Sequence, residues 1–596
     1  MKKLYFVVAF LLCATPSLFA NNFASPGTGV KWTLTDLVAN SGGDVTFSGG
    51  EYFVNDTVFI ALNDTLTITS DAVVKFIAGS YFDINGTLIV NPPTGVTFTA
   101  QNVSTGFLGM RIDSSNTTVL RKLTMEYANS LRLFDCNIII DSCIFRYNSP
   151  ATTFGNSAVS LNRASPFIRN SKFLDNQRAA IQGGSNINNA PKIVNCLFQG
   201  NNTLNQNVPQ INLGATSSGN DTVRIINNQI LRASTNSGGI GFLPIGNVYA
   251  VITGNTIRNN RYGLTFSGGS SINALISYNV IDSNNTQNDP NLGGSGISFT
   301  GGSATSHQNS IVTGNIFRAN LWGITIQNFA KPNLGDLTNA DTTDDGKNYF
   351  INNTNASTPG IDLYNNSPDG IMAQNNYWNT TDAAVVETKI VHQVDNSAYG
   401  LVTYTPFNTA LPIGLRQFAV AANKEDVLLT WQTETELNSS FFSIEKSRDA
   451  QVFNAIGTVA ANAAGTVYHY TDMNAFMNEA GAYYRLKMVD KDGKFSYSPV
   501  LFVKKNGEIK NGSVKVYPTV ASAQQLFNAA IVSDREQNYT VQFLNTAGQV
   551  LSKLAGTLQK GKNIVSLKAA TALPKGQVYM LFNGADFVQT VAVFVQ

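Results

Sequence analysis

Charge is scarce in this sequence. Asp, Glu, Lys and Arg make up 13% of its 596 residues, about half of the roughly 25% usual in soluble proteins. The 40 basic and 38 acidic side chains leave a formal net charge of +2, and no basic run stands out, which argues against a nucleic-acid partner. Cysteine is nearly absent, with four in the chain and no Cys-x2-Cys or Cys/His pair, so a structural zinc site has no ligand set. The three histidines, His307, His392 and His469, are each isolated in sequence from a nucleophile, so a structural or surface role is their default. No Gly-x-Ser-x-Gly elbow and no phosphate-binding glycine loop occurs. Past the first twenty residues, no stretch reaches the roughly 18 apolar residues of a membrane-spanning helix.

Asn, Gly, Ser and Thr take the place of charge, and between 120 and 380 they recur in a short phrase. It reads Ser142-Cys143-Ile144-Phe145, Asn170-Ser171-Lys172-Phe173, Asn195-Cys196-Leu197-Phe198, Asn227-Asn228-Gln229-Ile230, Gly254-Asn255-Thr256-Ile257, Tyr278-Asn279-Val280-Ile281 and Gly314-Asn315-Ile316-Phe317. Subtracting successive second positions gives intervals of 28, 25, 32, 27, 24 and 36. A minimum near 24 with irregular excess suits a rung of three short strands joined by variable loops, and suits a helix pair poorly. Ala, Leu, Glu and Lys are sparse in this region, and apolar residues come in short alternating bursts. Asn tolerates the left-handed conformation at a sharp corner, and its amide bonds to the amide of the next rung, so stacked Asn residues form an internal ladder. The expected fold is all-β: a right-handed parallel β-helix, a pectin-lyase-like solenoid with Phe and Ile filling its interior in columns, followed by two small antiparallel β-sandwich domains. Strand-like coils begin around Thr65 to Val90, and Asn376-Tyr377-Trp378 resembles a closing phrase.

The ends of the chain read differently. Residues 1–20 combine two lysines, an apolar run from Leu4 to Cys13 and a small residue at Ala20, which describes a secretory signal peptide. Residues 21–410 are the capped β-helix. Trp32, Leu34, Leu37 and Val38 predict the buried stripe of one short helix, started at Thr33 or Thr35 and stopped at Ser41-Gly42-Gly43. The cap is needed because a first rung offers bare strand edges. Cys143 and Cys196 occupy the slot of Ser171 and Asn228, so they point into one interior column with a Ser171 rung between them, as free buried thiols.

From Leu411 the texture changes to longer strands. Residues 411–505, with Leu415 to Phe418, Thr430-Trp431, Glu434 to Asn438, Ile444-Glu445, Tyr483 to Leu486, Asp490, Asp492-Gly493, Phe495 and Tyr497-Ser498, resemble a fibronectin-type-III-like module common in secreted proteins of Bacteroidota. Residues 512–596, with Val514 to Pro518, Val541 to Leu544, Gly561 to Val565 and Gly576 to Leu581, resemble the C-terminal sorting domain of the type IX secretion system. Thr519 and Val520 stand where that motif has Asn and Pro after Tyr-Pro. This resemblance implies the secretion machinery as a partner of residues 512–596 and a secreted or outer-surface location. Asp-Thr tripeptides at Asp56, Asp64, Asp221 and Asp341 also resemble the O-glycosylation sequon of that phylum; ordinary turn chemistry accounts for them equally well.

A solenoid of this kind hosts many activities, so a site must decide. Polygalacturonase-like hydrolases carry a Gly-His-Gly and an Arg-Ile-Lys, and neither is present. Asp336, Asp341, Asp344 and Asp345 form the nearest acidic cluster. As hard oxygen ligands, Asp341, Asp344 and Asp345 suit calcium, and they equally suit the polar lip of a long loop. Arg146, Arg232, Arg258 and Arg318 recur at related positions, as a basic stripe or as a face neutralised by partners such as Asp282. Tyr262, Trp322, Tyr364 and Trp378 are the aromatics available for stacking on sugars, with Trp378 better suited to plugging the solenoid. The sequence thus points to a secreted or surface solenoid that binds glycan or another extracellular polymer, with no catalytic residues assignable. The alternative is a polysaccharide lyase or glycoside hydrolase acting on an acidic polysaccharide, its site assembled across rungs.

Overall fold

The computed structural model describes residues 22–149, 154–216, 221–268, 271–304, 308–355 and 360–409, and, between 414 and 595, all but 424, 436–438, 450–451, 463–466, 477–480, 492, 494, 505–512, 518–519, 522–526, 547 and 570–571. The leader 1–20, His307 and Thr519 lie outside the described residues. The chain forms two compact units, Met1–Leu411 and Pro412–Gln596.

The first unit is a parallel β-helix. Short strands return in a fixed cycle to three long sheets of 13, 11 and 13 strands. The front sheet runs from Val58–Ile60 through Phe107–Asp113 and Leu264–Gly268 to Ile390–Val391. The second runs from Lys31–Trp32 to Ile311–Thr313, and the third from Val45–Ser48 to Tyr349–Ile351. Pairing is parallel throughout, apart from the opening hairpin of Val45–Ser48 with Glu51–Val54. Alternation along each strand sends one set of side chains inward, where they stack in register. In the third sheet Phe145, Phe173 and Phe198 lie face to face at 5.1 and 4.7 Å, and Phe317, Phe350 and Trp378 continue at 5.1 and 4.5 Å. Each is fully buried, a gain of about 1.5–3 kcal/mol apiece over exposure.

Each of the repeated tetrapeptides is a corner, and its first two residues divide the labour. The first takes the left-handed conformation: Asn170, Asn195, Asn227, Gly254, Tyr278 and Gly314 all have φ between 50 and 68°. The second forms the ladder. Asn228 Nδ2 donates to Asn255 Oδ1 at 3.0 Å, and the same bond repeats to Asn279, Asn315, Asn348 and Asn376 at 2.9–3.0 Å. The separations along this ladder, 27, 24 and 36 residues, are the intervals of the sequence phrase. One residue was expected to do both jobs; the backbone divides them because a side chain leaving an αL residue points away from the interior. Cys143 and Cys196 sit in this column, free and buried, with Ser171 between them, and burial pushes their thiols up to about 12.

A second ladder follows five residues downstream. Asn148 donates to Asn176 at 2.9 Å and Asn176 to Asn201 at 2.7 Å; Asn260, Asn284, Asn320 and Asn353 continue at 3.0–3.2 Å. Ala233 occupies the intervening corner, and Gln210, reaching in from a neighbouring loop, bridges Asn201 (2.8 Å) to Asn260 (3.0 Å). The ladder ends on the Asp362 carboxylate, 2.8 Å from Asn353 Nδ2 and 3.2 Å from Lys389 Nζ.

The N-terminal cap is a helix over Leu34–Asn40, opened by a Thr33–Asp36 capping box and closed at Ser41, with Leu34 and Leu37 buried on the first rung. Asp64 anchors the segment before it, accepting the backbone N–H groups of Gly27, Gly29 and Val30 at 2.8–2.9 Å. Its side chain is fully buried, which removes it from the set of exposed modification sequons. At the other end the coil runs beyond Trp378, because Ile390–Val391 and Val402–Thr403 each pair with a preceding strand.

The second unit contains two pairs of sheets. Three- and five-stranded sheets within 414–504 enclose Trp431, Phe442, Ile444, Tyr484 and Leu486. Another three- and five-stranded pair within 514–595 encloses Phe527, Val541, Phe543, Met580 and Phe582. Their long strands pair antiparallel, with one parallel edge pair between Val520 and Phe594.

Candidate functional site

Outward side chains of the front sheet are held in register by their buried inward neighbours. Asn212, Gly241, Thr265, Ser298, Thr325 and Tyr364 pair across six successive strands as one column. Ser267, Gln327 and Asn366 lie on the same face, two residues further along their strands. Loops from the preceding corners rise along one side and turn this floor into a groove of about 600 Å³.

Tyr364 closes the floor column, and Trp322 and Tyr262 stand beside it along one edge. Trp322 Nε1 donates to Pro290 O at 3.0 Å, and its ring lies 5.6 Å from that of Tyr364 at an interplanar angle of 60°. Tyr364 and Tyr399 join through their hydroxyls at 3.2 Å, and this bond, with burial, pushes Tyr364 up to about 12. Tyr262 lies flat over Gly238, where any Cβ would fall 2.0 Å from its ring, so this glycine is what allows the ring to fold down. Burial pushes the Tyr262 phenol up to about 12, against a small opposing effect of Arg261.

Among the described residues Arg261 is the single charged group of the lining. Its Nη1 donates to Asn207 Oδ1 at 2.7 Å and its Nη2 to Leu292 O, which fixes the loop over Pro290–Gly293 against the wall. The remaining floor is hydroxyl and amide. A neutral floor of short polar groups with aromatic rings along one edge can do two things for a sugar: stack on its apolar face and bond its hydroxyls.

The sequence named three of these rings, Tyr262, Trp322 and Tyr364, and the fold brings them together. Trp378 belongs elsewhere: it is fully buried and stacks on Phe350 at the end of the interior column. Tyr399 went unread, because it comes from a loop with no repeat signal.

The other candidates are placed as follows. Asp344 is buried, its Oδ2 accepting Asn333 at 2.8 Å and Asn339 at 3.1 Å. Asp341 Oδ1 closes a local turn on Thr343, 2.9 Å to N and 2.6 Å to Oγ1, and Asp345 faces Lys347 at 3.6 Å. Among the described residues no three His, Cys, Asp or Glu side chains converge as a metal-ligand set. Of the four arginines, Arg146 pairs with Glu126 at 2.6 Å and Arg258 and Arg318 share Asp282, so these three are neutralised by carboxylates of their own column. His392 is buried, accepting Val402 N at Nδ1 and facing Glu387 through Nε2, both at 3.0 Å. His469 lies beside Thr430 in the second unit.

No protein family or curated protein matches this chain. Of the many solved structures similar to parts of it, three are representative. They are the BSP domain of a biofilm-associated protein (13% identity, 30% of this chain and 29% of that one, TM-score 0.12), dimeric latent PorU from Porphyromonas gingivalis (10%, 33% and 22%, TM-score 0.14) and a glycosyl hydrolase family 2 member from Bacteroides cellulosilyticus (8%, 45% and 43%, TM-score 0.12). The chain spans less than half the length of each, and likenesses this partial do not bear on function.

Proposed function

We propose that the chain is a secreted or cell-surface β-helix protein that binds glycan, holding an extracellular polysaccharide in the groove of its front sheet. The observation that carries this reading is the lining itself: Trp322, Tyr364 and Tyr262 beside a floor of Thr, Ser, Asn and Gln. Rigidity supports it too, since a floor held by continuous parallel pairing meets a ligand with little ordering cost. The export part of the proposal rests on sequence resemblance: residues 1–20 as a signal peptide, 411–505 as a fibronectin-type-III-like spacer, and 512–596 as the sorting domain read by the type IX secretion machinery.

The alternative is cleavage of an acidic polysaccharide. Hydrolysis needs two carboxylates flanking the scissile bond, and a lyase needs a cation with a base beside it. Among the described residues the groove lining offers one guanidinium and no carboxylate, which supports binding.

The test is affinity electrophoresis of the purified protein through gels of plant, algal and host polysaccharides, with reducing ends measured in parallel. At least one polymer should retard the wild type, and Trp322→Ala should weaken retardation about tenfold, through loss of roughly 1–1.5 kcal/mol of ring stacking. Retardation unchanged by Trp322→Ala and Tyr364→Ala together would refute the groove. New reducing ends on one polymer would establish cleavage instead.

A further inference from the structure

The groove floor has two outward rows. Beside the column from Asn212 to Tyr364, Ser267, Thr300, Gln327 and Asn366 pair in register on four successive strands, each two residues beyond its neighbour in the first row. Strand geometry sets the rows about 6.6 Å apart, with about 4.8 Å between successive members of each. Phe266, Phe299, Ile326 and Asn365, the residues between the rows, are fully buried, which turns both rows outward. Parallel pairing without a register shift keeps them straight, for about 14 Å where both rows run and about 24 Å along the first.

Amides inside this β-helix are bonded to one another in ladders; the polar side chains of the floor are not. Among the described residues, Asn212, Thr265 and Ser298 of the first row and all members of the second bond no other protein side chain, and each is at least partly exposed. Thr325 is the exception, buried with its hydroxyl 3.0 Å from that of Ser295. Hydroxyl and amide groups both donate and accept, so each row offers hydrogen bonds of either sense along its length. The rows themselves carry no charge, and Arg261 gives both its Nη groups to the wall loops.

A sugar polymer meets such a surface along its length only under two conditions. Its rings must advance by about one rung each, and its hydroxyls must lie on both edges of a flat strip. Chains whose rings are joined equatorially at both ends, such as β-linked glucan and mannan, satisfy both. They are extended, each ring adds close to one strand spacing, and hydroxyls project from the two edges. Chains with an axial linkage, such as amylose, coil and leave a straight floor after a ring or two. We infer that the groove accepts a flat, equatorially linked polysaccharide lying along the solenoid axis, one ring to a rung, with a row of floor groups under each edge. The ring at the far end of the floor then meets Tyr364 and Trp322. The inference rests on the groove being a glycan site, and adds the linkage geometry that the site selects.

The experiment titrates the full-length chain calorimetrically with cello-, manno- and malto-oligosaccharides of about two to six units. Affinity for the cello- or manno-series should climb with length until the two-row floor is filled, at about four units, and then level off; at that length it should exceed the affinity for the malto-oligomer by about tenfold or more. Gln327→Ala with Asn366→Ala, both exposed, should weaken the four-unit ligand about tenfold by removing two hydrogen-bonding groups, with melting unchanged. Malto-oligomers bound as tightly, affinity that stops rising at two units, or a double variant that binds as the wild type does would overturn the inference, while retardation that Trp322→Ala weakens would keep the groove in place. Failure of both the cello- and manno-series, with another polymer still retarding the protein, would overturn it in the same way. Should the double variant fail to fold, the comparison of linkages in the wild type decides. Retardation by no polymer at all would refute the groove, and its linkage preference with it.

Discussion

Replacing Asp64 with Asn tests how the first rung is sealed. The carboxylate is fully buried, with Oδ2 accepting Gly27 N and Oδ1 accepting both Gly29 N and Val30 N. Burial alone would raise its pKa; the Ser25 hydroxyl and the three backbone N–H groups outweigh it and bring the group from 3.8 to about 2. A folded-state value below the unfolded one means stability that is present above about pH 4 and lost as pH falls through 2. A lowering of this size corresponds to about 2 kcal/mol, or a few tens-fold in the opening equilibrium of the cap. An amide cannot present acceptors on both sides, so in Asp64→Asn either Gly27 or the Gly29/Val30 pair faces an N–H. Losing charge-assisted bonds in a buried site costs about 2–4 kcal/mol. Hydrogen exchange of the cap segment 23–32 in the full-length chain reads this locally. Protection of Gly27, Gly29 and Val30 should fall roughly a hundredfold in the variant at neutral pH, and the wild type should lose protection between about pH 4 and pH 2 after correction for intrinsic rates. Variant protection within about threefold of wild type, or a pH-independent wild type, would refute the argument.

Asp362 should behave with the opposite sign. Complete burial raises it from 3.8 to about 6 despite Lys389 and Asn353, so its contribution is largest below about pH 4 and declines by about 3 kcal/mol as pH rises through 6. Asp362→Asn should remove that slope from the pH dependence of β-helix melting, and an unaltered slope would exonerate the residue. Asn279→Leu should destabilise the solenoid by about 3–5 kcal/mol, because Asn255 loses the acceptor of both its Nδ2 and its backbone N–H while Asn315 loses a donor; urea unfolding measures it, and a loss under about 1 kcal/mol would show the ladder to be dispensable. Trp322→Ala should weaken glycan binding with no change in melting temperature beyond a few degrees, since the ring is partly exposed on the groove wall.

What could be read from the sequence was whatever the repeat phases. The tetrapeptides fixed the rung and the first ladder; Tyr262, Trp322 and Tyr364 were legible only as aromatics available for stacking, and the closed coil is what brings them to one groove. The second ladder was present as an Asn five residues after the first, as in Asn255 and Asn260 or Asn315 and Asn320, and was overlooked because Arg258 and Arg318 between them drew a charge reading instead. Gln210 was beyond reach: it replaces a missing corner Asn from a different loop, and only the closed coil shows that the gap is filled. Asp83, Arg111 and Arg132, which pair in register on the front sheet, were unreadable for a related reason. They lie before Asn148, where no ladder residue marks the corners, so loop lengths leave the strands unphased and a one-residue error turns every side chain inward.

Every amide in both ladders points the same way, donating toward the C-terminal neighbour and accepting from the N-terminal one. A row of this kind is indifferent to its own length, since a copied rung presents above what it satisfies below. Duplication or loss of a coil in the Asn-bearing stretch therefore costs the interior nothing in unpaired groups. The ends are not interchangeable: the last amide always has hydrogens to give. One row discharges them onto the carbonyls of Leu334 and Ala373, the other onto the Asp362 carboxylate. The length of the β-helix is free to vary by whole rungs, provided the terminal residues travel with the last one.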